Sequence, residues 1–284
     1  MNLRAPPAPR AAFSAAPRSG RAALLIFEHD EKAFDLLDLE DPQSPPKQRR
    51  LPSAFQVKSQ SRREVSSLKT QSVKRCLFLC AGLCIMAFGV AFSIRADLGT
   101  SPISSVPYVI SLIAPVTVGT ATIAMHAVFV LLQILLLRRQ FALLQLLQLP
   151  AALLFGLLTD LAVYLLGSVT PNSYQTQWLL CAVGIFLVAL GVSVEVAAQA
   201  VPLAGEGLIL ALCKRLPVKF GNMKVCFDVT LVTIAVLIGL FSTGTLVGVR
   251  EGTVAAALFV GLLTRQMGKP VGRLAQRLFA GGDR

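Results

Sequence analysis

Charge is what this chain has least of. Only 15% of its residues are Asp, Glu, Lys or Arg while 54% are hydrophobic, and a soluble globular domain is closer to a quarter charged. Residues 76 to 94 carry no charged residue at all, and 19 residues at about 1.5 Å rise span roughly 28 Å, the thickness of a bilayer's hydrocarbon core. A soluble fold is excluded on these grounds. Catalytic signatures are missing as well. There is no H-E-x-x-H pair to hold a metal over a general base, no G-x-S-x-G elbow, and no paired acidic motif on two facing helices, so no enzymatic activity is expected. Cys76, Cys80 and Cys84 fall four apart on one helical face but lack His or carboxylate companions, and Cys181, Cys213 and Cys226 show no paired spacing. Cysteines of that kind read as small buried hydrophobes, and neither a metal nor a cofactor is expected. The first 25 residues are Arg- and Ala-rich and free of acid, yet contain no apolar stretch of a secretory signal.

Long hydrophobic runs are what the chain does have. Beyond 76–94, candidate crossings are 118–137, 146–166, 178–199, 222–241 and 251–267, the last short and preceded by Arg250 and Glu251. Six crossings are expected. The formal charge of +12 divides evenly, with 14 basic and 8 acidic residues in 1–75 and 13 and 7 in 76–284, so no nucleic-acid face follows from it. Basic residues instead cluster in alternate connections: Arg62 to Arg75 before the first span, Arg138 and Arg139 after the second, Lys214 to Lys224 before the fifth, and Arg265 to Arg277 at the end. By the positive-inside rule both termini are cytoplasmic.

The second half of the hydrophobic region repeats the first. MAFGVAFSI (Met86 to Ile94) aligns with VALGVSVEV (Val188 to Val196), and VTVG (Val116 to Gly119) with VKFG (Val218 to Gly221), both at an offset of 102; FGLLTD (Phe155 to Asp160) matches VGLLTR (Val260 to Arg265) at 105. Repeat one is placed at 76–166 and repeat two at 178–267. Three crossings per repeat is an odd number, so the copies lie upside down relative to one another, the inverted-repeat plan of many transporters. The domain plan is a disordered cytoplasmic extension over 1–72, a transmembrane domain over 73–270 and a basic tail over 271–284. The extension holds an acidic patch, Glu28 to Asp41, whose FDLLDL segment could form a short amphipathic turn for a partner, but nothing in it can build a core.

After the first span, Arg95 to Gly119 is too polar and too rich in Pro and Gly for a clean crossing. Gly99 supplies turn freedom, Ser101 is placed to cap a new helix, and Pro102 occupies its first position. In the second copy VPLAGEGLILALCKRL (Val201 to Leu216) stands at the same place, with Glu206 between Gly205 and Gly207. Both read as re-entrant half-helices, since irregular backbone at membrane depth is tolerated only inside protein or beside a wet cavity; eight full crossings with parallel repeats is the alternative.

A helix start of this kind favours an anion or carboxylate, which makes Gly99, Thr100, Ser101 and Pro102, with Arg95 and Asp97 beside them, candidates for a solute site. The bland possibility is that Ser101 caps its own helix and Arg95 pairs with Asp97. His126 and Asp228 occupy equivalent positions, since 228 minus 126 is 102, and an ionisable residue in a span normally faces the bundle interior or a wet pathway. Asp160, Glu195 and Glu206 join them, against the possibility that His126 bonds across a helix interface and that Asp160 and Glu195 lie near the membrane surfaces.

The stretch FGVAFSIRADLGTSP, with GTATIAMHAVFV and LFGLLTDL further on, resembles the YczE/YyaS/YitT group of small bacterial membrane proteins, and the YczE branch most closely, over roughly residues 76–267. The matching positions are Arg95, Gly99, Thr100, Ser101 and Pro102, with Gly119, Gly156 and Asp160; in the second copy Ala197 and Gln199 replace Arg95 and Asp97. The resemblance implies a multi-pass bacterial inner-membrane protein and no named reaction. The expectation is an all-α transporter-like permease for a small solute, an anion by the helix-start chemistry, or else a non-transporting accessory protein. The implied partners are the lipid bilayer, an unidentified small solute and a second copy in a homo-oligomer, with no nucleic acid.

Overall fold

The computed structural model describes residues 54–280, with side chains from 73 to 279; the acidic patch Glu28 to Asp41 and its FDLLDL segment lie outside them. Among the described residues every regular element is helical: α1 (Ala54–Ala96), α2 (Pro102–Ile113), α3 (Val118–Leu137), α4 (Gln148–Leu165), α5 (Tyr174–Ala198), α6 (Ala204–Arg215), α7 (Phe220–Thr243) and α8 (Glu251–Ala280), with two short 3-10 turns between α3 and α4. Helix α1 starts at Ala54, upstream of the boundary expected near residue 72, and its polar first part leads into the apolar span Val73–Ala96.

Among the described residues five helices are long and apolar enough to cross a membrane: Val73–Ala96, Val118–Gln140, Leu143–Leu165, Tyr174–Ala198 and Phe220–Thr243. The chain is therefore a polytopic, all-α, membrane-embedded protein. Helix α8, where the sixth crossing is expected, is not among the five; Glu251, Arg265, Gln266 and Lys269 dilute its apolar stretch. Pro150 does not divide α4, because at the third residue of Gln148–Leu165 the missing N–H has no intrahelical partner to lose.

Small residues hold the centre together, as expected where lipid removes the hydrophobic drive between helices. Helices α1 and α5 cross antiparallel. A Cβ on Gly89 would stand 2.6 Å from Val188 N and 2.9 Å from Gly184 O, and one on Gly82 would stand 3.1 Å from Gly191 O. Gly82 thus faces Gly191, and Gly89 faces Gly184. Helix α4 packs on α1 and α3, α8 packs on α5, and each short helix lies on a long helix from the other half, α2 on α7 and α6 on α3.

Several backbone features recur 102 residues apart. Asp97 (φ +55°) and Gln199 (φ +48°) are left-handed and 102 residues apart (199 minus 97). Their N–H groups donate to Ile94 O and Val196 O, and the same correspondence holds for Ala114 to Ile110 and Leu216 to Leu212, and for Ala121 to Thr117 and Met223 to Lys219. One contact is not repeated. Gly119 is pressed against Gly156 O where α3 meets α4, whereas Gly221 and Gly261, their counterparts, meet nothing within 4 Å.

Candidate functional site

The first chain break runs from Asp97 to Pro102 and is closed by the start of α8. Gly252 N donates to Leu98 O at 2.8 Å, and Arg250 Nη1 donates to Asp97 O at 2.7 Å, with Asp97 Oδ2 at 3.6 Å. Gly99 (φ +92°) faces Thr253 Oγ1 so closely that a Cβ would collide with it, and would lie 2.9 Å from Arg250 N. Here glycine is required twice over, by the backbone angle and by the approach.

Helix α2 starts inside this contact. Pro102 takes the first position as expected, but Ser101 does not cap with its side chain: its Oγ donates to Ser104 Oγ at 3.1 Å, while its carbonyl accepts from Ser105 Oγ at 3.0 Å. Thr100, Ser101, Ser104, Ser105 and Thr253 are all buried. Arg95 does not pair with Asp97. Its Nη2 donates to Val163 O at 2.8 Å in the last turn of α4, where the helix dipole favours a cation, and its Nε has no hydrogen-bond partner among the described residues.

The second break is lined differently. Glu195, buried in the last turn of α5, reaches the start of α6: its Oε1 accepts from Leu203 N at 2.8 Å, and its Oε2 has no partner among the described residues. Gln133 of α3 donates through Nε2 to Gln148 Oε1 at 2.9 Å and to Ala204 O at 3.1 Å. Both amides lie over Gly207, where a Cβ would stand 2.7 Å from Gln148 Nε2 and 2.9 Å from Gln133 Oε1. Glu206 sits in this first turn with a buried Oε2 that also lacks a partner among the described residues. Gln133 and Gln148, both fully buried, escape a reading that looks only for ionisable residues. The signal was present: lone amides in LLQILLL and LLQLPAALL are polar groups that a membrane span must satisfy through another helix.

His126 and Asp228 are not brought together as a pair. His126 packs edge-on between Phe129 and Phe155, ring centroids 5.9 and 6.2 Å away, and its Nδ1 has no partner among the described residues. Asp228 Oδ1 accepts from Lys224 Nζ at 2.8 Å one turn back on α7. Phe129 and Phe227 meet edge to face at 5.4 Å, so aromatic rings link the two helices.

Asp160 is a helix cap. Its Oδ1 accepts from Gly119 N at 2.7 Å and its Oδ2 from Thr117 Oγ1 at 2.6 Å, placing a carboxylate from α4 on the N-terminus of α3. In the second copy the corresponding residues are Arg265 and Lys219. Two cations cannot make that cap, which explains why α7 and α8 do not close as α3 and α4 do.

No curated protein and no solved structure matches the chain. One comparison does succeed, and it covers the membrane-embedded helices described above. The chain belongs to DUF6198, a family of unknown function, which it matches over residues 73–269.

Proposed function

We propose that this protein is a multi-pass permease of the bacterial inner membrane, built from two inverted three-helix repeats and moving a small solute past two half-length helices. The observation that carries this reading is the pair of short helices α2 and α6. Each begins at a chain break inside the bundle, beside buried polar side chains, on a long helix of the other half. Broken helices of this kind form solute and ion sites in secondary transporters.

The inverted arrangement is supported by the reciprocity of the α1–α5 crossing. Adding 102 to Gly82 gives Gly184 and subtracting 102 from Gly191 gives Gly89, so the contact Gly82–Gly191 maps onto Gly184–Gly89, as a two-fold axis requires. Antiparallel equivalents fit inverted repeats and disfavour parallel ones. A two-fold partner for α4 makes α8 the sixth crossing, and with the Lys and Arg asymmetry both termini are cytoplasmic. The YczE-like segment Arg95 to Pro102 lies at the first break, and Arg95 Nε keeps a donor for an anionic solute there.

The accessory reading has its own support. Helix α7 is the least enclosed of the five spans, and a partner or a second copy could cover it. A thermal-shift screen of small organic anions on the purified protein separates the two, because specific binding raises stability with the logarithm of ligand concentration. A stabilising anion that also exchanges across proteoliposomes is the expected result. A protein that no solute stabilises, and that purifies intact only with another subunit, would establish the accessory role.

A further inference from the structure

The buried polar atoms without partners at the start of α6 are oxygens. Glu195 is 4% exposed and Gln133 is fully buried; Glu195 Oε2, Gln133 Oε1 and Glu206 Oε2 have no donor among the described residues. The Gln133 amide is oriented by its own bonds, since only Nε2 can donate to Ala204 O. Its oxygen therefore stays on the Gly207 side, one residue along α6 from Glu206. All three side chains meet one helical turn: Glu195 on Leu203 N–H, Gln133 on the Ala204 carbonyl, and Glu206 within the turn itself.

Charge points the same way. Lys224 is the cation near enough to act on Glu206, but its ammonium is held by Asp228 at 2.8 Å, and that pair is neutral as a unit. The α6 N-terminus contributes about half a positive charge to Glu195. With both carboxylates ionised, two negative charges less that half leave a deficit of between one and two positive charges, and no donor among the described residues supplies it.

We propose that the first turn of α6 binds one small alkali cation, held by Gln133 Oε1, Glu195 Oε2 and Glu206 Oε2. Carboxylate and amide oxygens are the ligands a hard cation takes, and one positive charge offsets most of the deficit. A divalent ion fits less well, because it would have to shed most of its water for three protein oxygens. Gly207 is part of the site, since any Cβ there would push both amides away. The site deepens the permease reading by giving it a coupling ion, but binding is read at equilibrium without transport.

The test is thermal unfolding of the full chain in detergent at constant ionic strength, with sodium, lithium, potassium, magnesium or calcium chloride replacing choline chloride. One alkali ion should raise the melting temperature with the logarithm of its concentration. Glu195→Gln, Glu206→Gln and Gln133→Leu should each shift the half-maximal concentration at least tenfold, while Gly261→Ala, whose added methyl meets nothing within 4 Å, should leave it within about threefold. Radioactive sodium binding to the unmodified protein at equilibrium, with a stoichiometry near one, supplies a readout that survives any variant failing to fold. Equal melting in every salt together with no bound sodium would overturn the site, as would stabilisation by magnesium or calcium alone, or an alkali response unchanged in the folded variants. Failure of the anion screen with sodium still bound would instead remove the permease and leave the ion site standing.

Discussion

Asp160 carries two charge-assisted hydrogen bonds across a helix boundary, to Gly119 N at 2.7 Å and Thr117 Oγ1 at 2.6 Å. A sequence reading placed it on the solute path because it is a carboxylate in an apolar run; its bonds make it the cap of α3. Replacing Asp160 by Ala should lower stability by about 1–3 kcal/mol, the range for hydrogen bonds to charged groups. Chemical denaturation in mild detergent measures this. A variant as stable as the parent would show that water caps the helix equally well. Asp228 is a weaker residue by the same reasoning, because its partner is an adjacent-turn lysine of which a third is exposed.

Among the helices, the α1–α5 crossing is the tightest element contact and α7 the loosest. Gly89 meets backbone atoms of α5, which cannot turn away as a side-chain tip would. Gly89→Ala should therefore destabilise the fold by about 1–3 kcal/mol, the cost of overpacking, even though Ala is the better helix former. Gly261→Ala makes the control, since nothing lies within 4 Å of its added methyl and helix propensity predicts a gain of up to about 1 kcal/mol. Melting curves for the two variants should move in opposite directions. Destabilisation of similar size in both would mean that α8 has a close neighbour on that face.

For the whole molecule, the proposed two-fold relation between the halves predicts an even number of crossings. Reporter fusions after Arg139 and Arg277 should report the cytoplasm, and a fusion after Ser173 the outside, because Lys and Arg concentrate in alternate connections. A C-terminus found outside would leave five crossings, the number that length and apolarity alone support, and would end the inverted-repeat plan. The same relation accounts for the difference between the halves. One closes with a carboxylate cap at Asp160, while the other carries Arg265 and Lys219 and stays open.

Hydropathy and the 102-residue spacing were enough to place five of the six expected spans, both breaks and the two short helices, because each depends on local composition or on self-similarity along the chain. Gly99 was legible for the same reason: a turn beside Pro102 asks for a residue free to take positive φ. What the side chains do at those breaks was not legible. Arg95 finds Val163 O rather than Asp97, Glu195 finds Leu203 N, and Gln133 reaches Ala204 O. The partners of Arg95 and Gln133 are set by which helices approach closely, far apart in sequence, and that of Glu195 by the geometry of the turn joining α5 to α6. His126 and Asp228 make the point from the other side. Their positions 102 residues apart are read from the sequence, but only the packing of Phe129 and Phe155 around one and Lys224 beside the other decided the partners each has.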